Sequence, residues 1–134
     1  MKRKLLTALV GIVTIVFLNS PAIHADNTQD IDFEGQGFSK IKCTAYCCGT
    51  TTASGSPVHE GGLASDYKHR GQVAILYTLD GEYLGIFEAN DAGGTDAIRN
   101  GYVIDIYRTD YDRCVEWMKK TEGKVYVKWV EGNG

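Results

Sequence analysis

Long hydrophobic runs are scarce in this chain: its one extended apolar stretch, residues 5–18, is about 14 residues, whereas a membrane-spanning helix needs roughly 20. Flanked by Lys2-Arg3-Lys4 and by Asn19-Ser20-Pro21-Ala22-Ile23-His24-Ala25, it reads as a secretory leader cleaved after Ala25 or Ala22 and not as an anchor. Residues 1–25 are therefore expected to be a signal peptide, and the mature chain to be exported without a membrane attachment. A basic field is missing too. The formal charge is −3, the pI is near 5.5, and the cations beyond the leader are scattered, so nucleic acid is not expected as a partner. There is no internal repeat and no low-complexity tract. The cysteines lack the paired Cys-x2-Cys spacing of zinc sites, and His59 and His69 sit in no motif that would activate a cysteine. No metal and no other cofactor is expected.

What is present suits one globular domain of 43% hydrophobic and 23% charged residues, expected as a monomer. Residues 26–38, polar, acidic and without a period, read as a flexible spacer; residues 39–134 read as the domain. Export makes Cys43, Cys47, Cys48 and Cys114 candidates for disulfides. Adjacent Cys47 and Cys48 rarely bridge each other, so a link from one of the first three to Cys114 is expected.

Short strands follow one another. Residues 40–46 alternate polar and apolar, residues 61–66 end on a carboxylate, and residues 72–77 and 83–88 form a hairpin around Asp80-Gly81. Residues 124–130 are a last strand. The one convincing helix begins at Thr109 as N-cap, with Asp112 three residues on, apolar Tyr111, Cys114, Val115 and Met118 at helical spacing, and Gly123 as its stop. Many short strands with one late helix predict a mainly β fold closed into a small barrel, since closure removes exposed edges.

Chemistry concentrates in residues 88–107. Asp91 precedes Gly93 and Gly94, which are expected to form a hinged turn, take positive φ and let the backbone approach a ligand. In Val103-Ile104-Asp105-Ile106-Tyr107, strand alternation puts Asp105 on the face opposite the isoleucines. A carboxyl in that setting is paired or partly desolvated, and desolvation raises its pKa toward that of a proton donor. The small-hydroxyl loop with Thr51, Thr52 and Ser54, closed by Pro57, reads as a groove wall that hydrogen-bonds a polar polymer such as a glycan.

Thr44-Ala45-Tyr46-Cys47, Thr52-Ala53-Ser54-Gly55, Ala64-Ser65-Asp66, Asp91-Ala92-Gly93-Gly94, Ala97-Ile98-Arg99 and Ile104-Asp105-Ile106-Tyr107, in that order, resemble the three-aspartate (3D) domain. That domain occurs in murein lytic transglycosylases of the A type and in exported wall proteins of Gram-positive bacteria. The resemblance spans roughly residues 41–130. It implies a small six-stranded double-psi β-barrel with one late α-helix, in which Asp66, Asp91 and Asp105 meet in a groove. It further implies a secreted, cell-wall-located lyase of peptidoglycan turnover. Such an enzyme cleaves the MurNAc-GlcNAc β-1,4 glycosidic bond of peptidoglycan glycan strands and leaves 1,6-anhydroMurNAc ends. One Asp serves as acid and then base; Asp105 is the first choice for its apolar setting, Asp91 the rival, with Asp66 orienting them and Tyr107 holding glycan. Two departures stand out: Thr95-Asp96 lengthens the segment after Gly94, and Tyr67-Lys68-His69-Arg70-Gly71 replaces the proline-containing segment after the first Asp. The alternative is a non-catalytic polysaccharide-binding, expansin-like wall module; a hydrolase using water is a third reading.

Overall fold

The computed structural model describes residues 30–47 and 49–132, and the fold below is the unit that begins at Asp32. The expected leader, residues 1–25, and Cys48 lie outside the described residues. The strands are β1 (Ser39–Tyr46), β2 (Gly62–Ser65), β3 (Val73–Thr78), β4 (Tyr83–Ala92), β5 (Val103–Tyr107) and β6 (Lys124–Val130). A short helix α1 (Asp96–Arg99) precedes β5, and α2 (Tyr111–Thr121) precedes β6. The sheet closes on itself as a six-stranded barrel in the order β1-β5-β2-β4-β3-β6, the mainly β fold expected. The pairs β1·β5 and β2·β4 are parallel and the others antiparallel. Among the described residues every strand thus has two partners, and the six strands leave no open sheet edge.

Alternation builds the interior. Cys43, Leu63, Ala74, Leu76, Phe87, Ala89, Ile104, Ile106, Val125 and Val127 point inward and are buried, and Trp117 of α2 packs against them. Burying Ile104 and Ile106 stabilises the fold by about 1.5–3 kcal/mol each, which fixes the facing of β5. Among the described residues no helix is long and apolar enough to cross a membrane.

Several expectations need correction. Part of the expected spacer belongs to the fold: after a 3-10 turn at Glu34–Gln36, Phe33 is buried, stacked 4.4 Å from Tyr126 and packed against Phe38 and Tyr77. Aromatic burial outweighs the polar composition around it. Strand β4 runs on to Ala92, so Asp91 lies within a strand and not on a turn. The N-cap of α2 is Asp110, whose carboxylate accepts from the Arg113 N–H at 2.9 Å; Thr109 instead turns its N–H and hydroxyl to Glu60. The apolar stripe is also rotated: Tyr111 is 71% exposed, whereas Cys114, Trp117 and Thr121 face the barrel. Of the disulfide candidates, Cys43, Cys47 and Cys114 are free thiols, not linked as expected: burial first and then Cys47 push the Cys114 thiol up to about 11, while Cys43 donates to the Thr121 hydroxyl.

Helix α2 ends one residue before the expected glycine. Its C-cap is Glu122 at φ 54, with its N–H donating to the Met118 carbonyl at 2.8 Å. A side chain in the left-handed region costs about 1 kcal/mol that glycine avoids. Glu122→Gly is expected to stabilise the protein by about 0.5–1 kcal/mol, read as a higher urea midpoint at unchanged slope; an unchanged or lower midpoint would show that this cap is not strained.

Candidate functional site

The site lies on the outer face of the barrel, and its position follows from the inward residues beside it. Ile104 and Ile106 are buried, so Asp105 between them projects outward with Val103 and Tyr107. On one side Asp105 is in register with Thr44 of β1, whose hydroxyl donates to Asp105 Oδ1 at 2.8 Å. On the other side it is in register with Ala64 of β2.

Ala64 is also the partner of Asp91, and a bulge makes this so. Leu63 pairs with Ala89, yet Ala64 pairs with Asp91, so Asn90 is skipped. Without the extra residue Asp91 would turn inward, because a one-residue slip reverses the facing of a strand. Asn90 itself is buried, packs on Gly62 and reaches the His59 ring at 3.3 Å. Asp91, Ala64 and Asp105 therefore line up across three adjacent strands. Two strand spacings put the aspartate backbones roughly 9.5 Å apart with only a methyl group between them.

Asp91 is tightly held. Its Oδ2 accepts the Tyr46 hydroxyl at 3.0 Å, and its Oδ1 accepts the Ala53 N–H at 2.7 Å and the Ala92 N–H at 2.8 Å. Tyr46 meets Tyr107 edge to face at 5.5 Å. Burial first, then the bond to Asp91 and the negative charges nearby, push the Tyr46 phenol well above its usual range, so it remains a proton-bearing donor. Asp105 differs. Burial raises its pKa above the ordinary 3.8, the Thr44 hydroxyl opposes the shift, and the charge of Asp91 adds to it. Among the described residues nothing hydrogen-bonds to Asp105 Oδ2.

Asp66, just past the end of β2, has its own partner. Its Oδ1 accepts the His69 N–H at 3.0 Å and pairs with His69 Nδ1 at 2.7 Å, and the His69 ring stacks on Trp129 at 4.2 Å. Its Oδ2 lies against Gly101, where a Cβ would come within 2.8 Å. Asp66 makes no hydrogen bond to Asp91 or Asp105 among the described residues. The geometry thus couples two of the expected three aspartates directly and sets the third one pleat beyond Ala64.

The hydroxyl loop reaches this face through Ala53 and is closed by a bridge between Thr51 and Pro57. Thr52 is buried, with its hydroxyl bonded to Ser54 and Ser56, while Thr51 and Ser54 are exposed. Gly93 and Gly94 do not take positive φ, contrary to expectation. Gly93 is glycine for another reason: a Cβ there would fall 2.2 Å from Ile98 of α1. Thr95, part of the lengthened segment, caps α1 by accepting from the Ile98 N–H at 3.4 Å. Sequence reasoning gave no role to Thr44, Tyr46 or His69. The alternation that turns Asp105 outward also turns Thr44 and Tyr46 outward on the neighbouring strand, and that signal was present; the pairing of β1 with β5 was not.

The raised pKa of Asp105 has a consequence for stability. The folded state holds this proton more tightly than the unfolded chain, so stability falls as pH rises from about 3.8 through the folded value. Asp105→Asn, which retains an acceptor for Thr44, is expected to be more stable than the wild type at pH 7, with the gain vanishing below about pH 3.8, as measured by urea unfolding across pH. Equal stability at both pH values would contradict the burial of this charge. Comparison with protein-family models, with curated proteins and with solved structures finds no match to the chain.

Proposed function

We propose that the protein is an exported lytic transglycosylase of the three-aspartate (3D) type, with a double-psi barrel, that cleaves the MurNAc-GlcNAc β-1,4 bond of peptidoglycan. The observation that carries the reading is the outward, partly desolvated Asp105 with one free oxygen, in line with the fixed charge of Asp91. Protonated Asp105 gives its proton to the glycosidic oxygen as the bond to C1 of MurNAc breaks. The resulting carboxylate then takes the proton of the MurNAc C6 hydroxyl while that oxygen bonds to C1. The 1,6-anhydro end forms, and Asp105 regains its proton without water entering the balance.

Asp91 has a different part. Its negative charge keeps the Asp105 proton bound and offsets positive charge developing on the sugar ring. A hydrolase with two working carboxyl groups would need its second one able to act on water or sugar. Asp91, committed to Tyr46, Ala53 and Ala92, suits a single-acid scheme better. The same commitments, with Asp66 tied to His69, also favour a second reading, a module that binds wall polysaccharide without cutting it.

Digestion of purified sacculi separates these readings. Wild type is expected to release anhydromuropeptides detectable by mass spectrometry, and Asp105→Asn to lower that rate by about 10²–10⁴ while still binding sacculi. Binding by the wild type without release would establish the binding module, and release of reducing ends would establish hydrolysis.

A further inference from the structure

Along β1 the outward series that contains Thr44 and Tyr46 continues back through Lys42 and Lys40. Lys42 stands directly opposite Lys124 across the antiparallel β1·β6 pair. Like charges in that position repel and destabilise a sheet. Among the described residues neither lysine has a carboxylate partner, whereas Arg99, Arg108, Arg113 and Lys120 each have one. Lys40 lies 5.7 Å from the Tyr126 ring and also has no carboxylate.

The three lysines rim an open cavity of about 630 Å³ whose other wall is Ala97, Gly101, Tyr102 and Val103. That volume lies in the range of ligand sites. Tyr102 is 69% exposed there and offers a flat apolar face. In an acidic protein, three uncompensated ammonium groups around one hollow describe a place for an anion. The hollow is contiguous with the aspartate face: Lys42 pairs with Val103, and Thr44, two residues on, pairs with Asp105. Two strand residues span roughly 7 Å, so a group in the cavity can belong to the polymer that reaches Asp105.

We propose that this cavity is an anion subsite that takes the carboxylates of the peptide stem carried on the muramyl residue, with Lys42 and Lys124 binding the charge and Tyr102 covering the stem. The assignment rests on peptidoglycan being the substrate. It accounts for a cross-strand lysine pair that is unfavourable in the free protein, since a bound carboxylate between the two ammonium groups removes the repulsion.

Equilibrium binding without turnover tests it on the full mature chain. Muramyl dipeptide with free carboxylates is expected to bind about three- to tenfold more tightly than its fully amidated form, and to shift the backbone amides of Lys42, Tyr102 and Val103 in NMR titrations. Lys42→Gln/Lys124→Gln should abolish that preference without lowering the melting temperature, because it removes a repulsive pair; Lys42→Arg/Lys124→Arg should retain the preference. Equal affinity for acid and amide, or a preference that survives the glutamine variant, overturns the subsite. Lysine-dependent binding of glycerol phosphate oligomers with none of muramyl dipeptide also overturns the stem assignment and identifies a phosphodiester polymer as the anion. Because no bond is cut in this assay, failure here with intact sacculus digestion faults the subsite alone, and success here without digestion faults the catalytic reading.

Discussion

The structure depends on one constraint: each outward side chain of the barrel is fixed by the buried one beside it. Ile104 and Ile106 can only point inward, so Asp105 can only point outward. Ala64, itself buried, shares the facing of Asp105 through its register with it. A single bulge at Asn90 then brings Asp91 to the level of Ala64, and two carboxylates from strands that are not paired with each other share one patch of surface. Losing that bulge would cost the patch its second charge while leaving most of the hydrophobic interior in place.

Position on that patch gives the three aspartates different chemistry. Asp91 accepts three hydrogen bonds and is a fixed charge. Asp105 has a desolvated setting and a charged neighbour, which raise its pKa against the opposing pull of its one neutral donor, Thr44. Asp66 is tied to His69 and lies close against Gly101, which also lines the lysine cavity. Asp105 on β5, Asp91 on β4 and the lysines of β1 and β6 thus present acid and cationic groups on neighbouring strands of one barrel.

Much of this was legible because it follows from local pattern. The facing of Asp105, the Asp80-Gly81 hairpin, the late helix and the closed mainly β architecture can be read from period, turn residues and capping. What was hidden depends on pairing between distant segments. The bulge at Asn90 exists only relative to β2, so Asp91 looked like a turn residue beside two glycines. Gly93 is demanded by Ile98 and not by its own backbone, which no local rule reveals. Phe33 looked like part of a polar spacer until its stacking partner Tyr126, far along the chain, was in place. The opposed Lys42 and Lys124 needed the β1·β6 register in the same way.

The most direct test of the account is the titration of the Asp105 carboxyl carbon by NMR in wild type and in Asp91→Asn. The expected midpoint lies above the ordinary aspartate value of 3.8 and moves down when the Asp91 charge is removed. A midpoint at or below 3.8, indifferent to Asp91→Asn, would contradict it, because the two carboxylates would then be neither desolvated nor coupled across Ala64.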